Sequence, residues 1–350
     1  MKSRTITFIL ANIFVFCFGI CCLLYRNNHL AHENSNLDHP IENFVNPIKN
    51  KTELPPIKND IVLPNPSYMN YDQTIAQLKQ WCVEAPEMAE IGVYGKTTKG
   101  KDCYYLRVFN KRYSQITERP KVLITACIHG NEPLASSVTM WYIGNLLSSY
   151  GKDDGITHLL DSRDLYFVPV VSPDSYPVSR IVDGVDPNRD FPSPNRHNHK
   201  SVAPVQAIQD LFMKIKPNAV ISGHTWGRVY LTPYGDKMQN CPDHEEIMTV
   251  MNKVKSLSGY RCMRTCDMYN PNGSINNPPI RTNDSEYVLA PIYGTEVDWY
   301  YRNGAFAIVC EYGTHQRIPT DADTRLEFDK TFQGFLLFLK EAPLVHIKGS

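Results

Sequence analysis

The stretch KVLITACIHGNE, Lys121 to Glu132, limits what this chain can fold into more than any other. Val122 to Ile128 carries no charge and is apolar or β-branched nearly throughout. Such a run suits a strand buried on both faces of a parallel sheet. His129, Gly130, Asn131 and Glu132 follow at once. Gly130 is expected to permit a sharp exit from the strand, and Pro133 to sit in the first turn of a helix, where a missing N–H costs little. Leu134 to Tyr150, with Val138, Trp141, Leu146 and Leu147 at near-helical spacing, is expected to be that helix. His129 and Glu132 then share one strand-to-helix turn. An imidazole and a carboxylate aimed at one spot make two ligands of a zinc site, and a third from elsewhere would leave the fourth position for water. Taken alone, the pair also fits a helix cap, a turn or an ordinary ion pair.

A chain of 350 residues holds one large domain or two small ones. Lys plus Arg and Asp plus Glu are both 36, and no basic block stands out, so no nucleic-acid partner is expected. Ile6 to Tyr25 is a 20-residue stretch without a charge, preceded by Lys2 and Arg4. It is long enough to span a bilayer as a signal-anchor with its N-terminus in the cytoplasm; a cleaved signal peptide is the alternative. Either way the bulk of the chain is expected outside the cytoplasm, anchored to the membrane by the N-terminal segment or secreted. Of ten cysteines, Cys17, Cys21 and Cys22 lie in the apolar stretch, which leaves seven and hence at least one unpaired thiol in a monomer. Cys127 and Cys310 read as buried small hydrophobes. Cys262 and Cys266 have a spacing that could bind metal, and a disulfide with Cys241 is the other option.

Arg26 to Tyr68, rich in Asn, Pro and charge, is expected to be an extended stem. Glycosylation acceptor patterns stand at Asn50, Asn272 and Asn283. From Tyr71 the pattern changes, and Asp72 is placed to cap a helix carrying Ile75, Leu78 and Trp81. Ile91 to Gly95 and Cys103 to Phe109 read as two strands joined by a hairpin turn at Lys99 to Lys101. Asp164 to Val171 is another buried strand, and Val205 to Ile215 a helix. Ala219 to Gly223 then runs as a strand into His224, and Ala305 to Cys310 as a strand into Glu311. The last helix is expected from Thr324 to Lys340, with Thr324 and Glu327 as a capping box and Leu326, Phe332, Leu336 and Leu339 facing the sheet. Strand, helix and strand in this order predict an α/β domain: a mixed, mostly parallel central sheet with helices on both faces. The expected division is 1–25 anchor or signal peptide, 26–68 stem and 69–343 catalytic domain. His129, His224 and Glu311 each follow an apolar strand, at the carboxyl edge where open α/β sheets bind ligands.

The order of motifs resembles that of zinc carboxypeptidases of the carboxypeptidase A/B type. It runs from HGNE at 129–132 to GVDPNRDFP at 184–192, GHTWGRVYLTPYG at 223–235, IYGTEVDWYY at 292–301 and Glu311. IGVYGKTTKGKDCYYLRV at 91–108 belongs to the same likeness, which extends over roughly Tyr71 to Leu339. The resemblance implies one zinc per chain held by His129, Glu132 and His224, a two-His, one-Glu set of the kind seen in carboxypeptidase A. It implies Glu311 as the general base acting on the attacking water, and Arg180 as the stabiliser of the oxyanion. Asn188 and Arg189 would grip the free C-terminal carboxylate of the substrate, a task suited to the planar guanidinium fork. Tyr293 would close over the substrate, with Tyr287 as the alternative because the gap to Asp298 is shorter than in digestive members. Val297 would line the specificity pocket, with Glu296 taking that place under a one-residue shift. His197 and His199 form an H-x-H pair that could compete as metal ligands, but they stand in a polar loop and not after a strand, and are expected to be solvated near the cleft.

The expected activity is that of a monomeric zinc exopeptidase acting on peptide or protein C-termini, active once folded because only the stem precedes the catalytic region. A bacterial cell-wall carboxypeptidase would use the same groups on peptidoglycan stem peptides. A zinc deacylase of N-acyl amino acids shares H-x-x-E but not the motifs around Arg189 and Asp298. An inactive surface binding module would be expected to lose a ligand or the base, and here all four residues are present.

Overall fold

Eight strands form one sheet in the order β1-β2-β4-β3-β5-β8-β6-β7. The computed structural model describes residues 61, 63–64, 68–115, 118–196, 199–237, 239–268 and 292–349. In chain order these hold α1 (Tyr71–Glu84), β1 (Ala89–Lys96), β2 (Asp102–Val108), β3 (Lys121–Ala126), α2 (Pro133–Ser149), α3 (Asp154–Ser162) and β4 (Asp164–Val168). There follow α4 (Ala203–Ile215), β5 (Ala219–Thr225), β6 (Val229–Thr232), α5 (His244–Ser258), β7 (Arg261–Arg264), α6 (Thr265–Met268), α7 (Glu296–Arg302), β8 (Phe306–Tyr312) and α8 (Asp321–Glu341). The apolar stretch 6–25, the stem up to residue 60, Tyr287 and the three glycosylation patterns lie outside the described residues. Among the described residues no helix is long and apolar enough to cross a membrane.

The centre of the sheet is parallel: β3 pairs with β4 and β5, and β5 with β8. The antiparallel pairings, β1 with β2, β2 with β4 and β6 with β8, lie toward its two sides. β4, β5 and β8 are buried at every position, so both faces of the central sheet are covered and their sequences need no polar alternation. The mixed, mostly parallel sheet expected from the apolar runs is therefore present. The hairpin at Gly100, with φ of 82°, is present too.

Several local expectations are corrected. The cap of α1 is Asn70, whose side chain exchanges hydrogen bonds with Gln73 in a capping box, so Asp72 lies in the first turn instead. α8 starts one turn earlier than expected, capped by Thr320 with Asp323. Glu327 is then free to leave the helix surface: it is 2% exposed and its carboxylate accepts from Arg228 Nη2 at 2.6 Å. This phase turns Phe328, Phe335 and Phe338 inward and leaves Leu326 exposed. All seven described cysteines are free thiols, so Cys241 forms no disulfide with Cys262 or Cys266, and among the described residues these two belong to no group of three metal-compatible side chains.

Candidate metal centre and active site

The sheet brings the site together from three adjacent parallel strands. β3 ends at Ala126, and Cys127, at φ of 53°, turns the chain out of the sheet. The sharp exit is thus made at Cys127 and not at Gly130. Gly130 serves close approach instead: a Cβ there would lie 2.4 Å from the Ser175 carbonyl carbon and 2.5 Å from its oxygen. Gly130→Ala is accordingly expected to destabilise the fold by about 1–3 kcal/mol, the usual cost of overpacking. A denaturation midpoint equal to that of the wild type would show that the Ser175 turn yields without cost.

Pro133 occupies the first turn of α2, and Glu132 stands just before it, 1% exposed. Ala126 pairs with Gly223 on β5, which sets His224 one residue further along that strand. His224 in turn pairs in register with Glu311 on β8. The result is a buried cluster in which ligand atoms of His129, Glu132 and His224 all lie within 4.8 Å of one another. His129 Nδ1 is 3.0 Å from Glu132 Oε1, and His224 Nδ1 is 3.0 Å from Glu132 Oε2. The two rings meet edge to face with centroids 5.0 Å apart. The Thr225 N–H donates to Glu132 Oε2 at 3.1 Å, which fixes the carboxylate.

The outer ring nitrogens are also engaged. His129 Nε2 lies 3.0 Å from Asp186 Oδ1, and His224 Nε2 lies 2.6 Å from Glu296 Oε1. A carboxylate on each Nε2 favours the tautomer that carries its proton there. Both Nδ1 lone pairs then face the oxygens of Glu132, with Arg180 Nη1 3.3 Å from His129 Nδ1 as a neighbouring donor. A proton or a cation between the facing acceptors stabilises the group. Burial works against a charged His224 ring, but Glu132 and Glu296 hold its pKa well above the ordinary histidine value. Burial would likewise raise Glu132, yet His224 and His129 bring it down to about 2. The donors fit zinc, because two imidazoles and one carboxylate form a common catalytic zinc set with a position left over.

Glu311 is 8% exposed and does not belong to the three-ligand group. Burial, reinforced by the charge of Glu132, pushes its pKa up to about 8, against the pull of His224 and Arg180. A cation among the three ligands would draw it back down.

Arg180 comes from the loop after β4. Its Nε donates to Asp186 Oδ2 at 2.9 Å, and its Nη1 lies 3.8 Å from Glu132 Oε1. Asn188 and Arg189 sit in a short 3-10 turn, Pro187–Arg189, capped by the Asp186 carboxylate, which accepts the Asn188 N–H at 3.0 Å. Asn188 Oδ1 accepts the Glu296 N–H at 2.9 Å, and Arg189 Nη1 donates to the Asn188 carbonyl at 2.7 Å. Gly294, at φ of +74°, lets the Tyr293 segment lie against this turn: a Cβ on it would meet the Arg189 carbonyl oxygen at 2.4 Å. Tyr293 itself is 38% exposed. Val297 packs in the core at 2% exposure, and it is the carboxylate of its neighbour Glu296 that reaches His224. His199 is not a solvated loop residue: its Nε2 is bound to the buried carboxylate of Asp190, and His197 lies outside the described residues.

Three residues at the site escaped sequence reasoning. Asp186 stands inside the GVDPNRDFP motif, and its spacing two before Asn188 was the available signal. Glu296 reads from the sequence only as an alternative pocket residue. Gln316, on the loop between β8 and α8, donates through Nε2 to Glu132 Oε1 at 2.9 Å and to the Thr225 carbonyl at 3.0 Å. Nothing in its sequence context marks it.

Comparison with known proteins agrees with this architecture. Among curated relatives, a zinc carboxypeptidase of Saccharothrix mutabilis subsp. capreolus is 24% identical over 60% of this chain and 58% of its own length. Carboxypeptidase A4 of Mus musculus is 26% identical over 69% of this chain and 64% of its own length. Human mast cell carboxypeptidase A is 25% identical over 68% and 60%. The chain thus spans less than two thirds of the length of these relatives. Among solved structures, that of thrombin activatable fibrinolysis inhibitor aligns with a TM-score of 0.68 at 18% identity, over 86% of this chain and 80% of that one. Carboxypeptidase A from Helicoverpa armigera aligns with a TM-score of 0.61 at 15% identity, over 82% and 77%. These structures share the fold. The zinc carboxypeptidase family model matches residues 74–341, which is most of the chain, and the protein therefore belongs to the zinc carboxypeptidase family.

Proposed function

We propose that this protein is a zinc-dependent exopeptidase that removes single residues from the free C-termini of peptides. The observation that carries the reading is the buried convergence of His129, Glu132 and His224, with Glu311 in register beside His224 on the next strand. His129, Glu132 and His224 would hold the metal. When bound, zinc supplies Lewis acidity, lowering the pKa of water toward ~7 and polarising a carbonyl.

Glu311 accepts a proton from the attacking water through its carboxylate and hands it to the leaving amine. Arg180 lends a cation to the oxygen on which negative charge develops, held toward the site by Asp186. Asn188 and Arg189 bind the terminal carboxylate of the substrate, a role supported by their rigid turn and its contact with Glu296. Tyr293 closes over the bound residue, consistent with its exposure on a segment seated against Arg189. Val297 contributes to the wall of the side-chain pocket. Residues 69–343 form the catalytic domain, 26–68 a stem and 1–25 an anchor or signal peptide, so that a monomer works outside the cytoplasm, at the membrane or secreted.

Arg189→Ala tests the exopeptidase assignment. It is expected to raise KM for peptides with a free C-terminus by about 10-fold or more, the loss of a charge-assisted hydrogen bond of 1.5–3 kcal/mol. Residual cleavage of amidated peptides should not change. Equal losses on free and amidated substrates would remove the carboxylate-binding role.

A further inference from the structure

We infer that Glu296 is a positioning residue for the metal centre, orienting His224 as a ligand so that each imidazole of the centre is held by its own carboxylate. The inference rests on the zinc-hydrolase reading above and concerns a residue outside the three-ligand set.

Glu296 opens α7 and is 1% exposed, while His224 is 2% exposed. Its Oε1 lies 2.6 Å from His224 Nε2, and its Oε2 is buried without a hydrogen-bond partner. Among the described residues its one ion-pair partner is His224. Among the described residues no Arg or Lys neutralises it, so burial of this carboxylate is costly unless the imidazole returns the interaction. A carboxylate accepting Nε2–H pins the ring, keeps its proton off Nδ1 and makes Nδ1 a better donor. The backbone fixes the carboxylate in turn: the Glu296 N–H donates to Asn188 Oδ1 at 2.9 Å, and Thr295 caps the helix. Asp186 does the same for His129 from the other side, and it too is tied to the turn that carries Asn188, through the Asn188 N–H at 3.0 Å. The substrate-facing turn and both ligand imidazoles thereby form one hydrogen-bonded unit. A charge in the first turn of a short helix could serve α7 alone, but such charges act at the helix surface, and this one is buried against an imidazole.

The test compares the full-length wild type with Glu296→Ala and Glu296→Gln by zinc competition against a chromogenic chelator. Visible spectra of the cobalt-substituted proteins and melting of the chelator-treated proteins complete it. Glu296→Ala is expected to weaken zinc binding about 10–100-fold and to shift the cobalt bands, as loss of an outer carboxylate does in metal sites generally. Glu296→Gln keeps an acceptor for Nε2–H and is expected to lose less affinity and retain the wild-type bands. Melting of the metal-free variants should stay close to that of the metal-free wild type. Zinc affinity within twofold of wild type in both variants, together with a lower metal-free melting point, would overturn the inference and leave Glu296 a structural residue. Should Glu296→Ala not fold, Glu296→Leu, which fills the buried space without offering Nε2–H an acceptor, decides by the same loss of affinity and shift of bands. A wild type that binds no zinc would overturn the underlying reading as well, whereas a tight wild-type site indifferent to Glu296 would overturn this inference alone.

Discussion

Glu311→Gln is expected to lower kcat by about 10²–10⁴-fold, the range for loss of a positioned general base, while the protein still binds one zinc per chain. The two outcomes separate because Glu311 stands outside the three-residue group of His129, Glu132 and His224, beside His224 on the next strand. The amide keeps the shape of the carboxyl group but cannot take a proton. The same residue sets the expected acid limb of the pH profile. Its pKa is pushed up to about 8 by burial and the charge of Glu132. Below its pKa the group is protonated and cannot act as a base, so kcat/KM falls toward acid. Zinc lowers that pKa, and the limb therefore lies below pH 8. An acid limb that persists unchanged in the Gln variant, or near-normal turnover there, would remove the base assignment.

His224→Ala has the other large expected effect. Zinc content falls to a small fraction of one per chain, and activity goes with it. Three ligands are near the minimum for a catalytic zinc site, and no fourth protein group stands in reserve within the described residues. The substitution also takes from the buried Glu296 its one ion-pair partner among the described residues, and from Glu132 one of several. Removing one member of a buried ion pair costs about 3–5 kcal/mol, so the variant should unfold earlier in denaturant as well. His199→Ala is the matched control. His199 pairs with Asp190 and lies apart from the ligand group, so its loss should leave zinc content at one per chain. Zinc lost from the His199 variant and kept by the His224 variant would move the site to the H-x-H loop.

The strands that build the site were legible because burial on both faces leaves an unmistakable apolar run. β3, β5 and β8 each carry one, and each delivers a metal-compatible or basic group at its carboxyl end. Glu311 was legible for a related reason, since a charge after such a run is costly unless something uses it, while His129, Glu132 and His224 were legible from the H-x-x-E turn and the order of motifs. Exposed and short elements were less legible. β6 and β7 have four residues each, too few to show a period, and α5 carries a mixed pattern that did not stand out. The cap of α8 was misplaced because Thr320 with Asp323 and Thr324 with Glu327 have the same spacing one turn apart. Tertiary contact decides between them: Glu327 is drawn to Arg228, a residue 99 positions earlier in the chain. Glu296 and Gln316 escaped for a related reason. Their contacts with His224 and Glu132 span 72 and 184 residues, and local sequence carries no record of such pairings.

In the proposed function this chain hydrolyses the last peptide bond with the help of a metal held by His129, Glu132 and His224. The decisive measurement is mass spectrometry of a mixed peptide library incubated with the zinc-loaded protein, with and without a chelator. The expected result is loss of single residues from free C-termini, sparing of amidated peptides, and disappearance of both the products and the bound zinc under the chelator. Cleavage inside peptides, cleavage that survives complete removal of zinc, or a zinc-loaded protein that leaves every free C-terminus intact would contradict it.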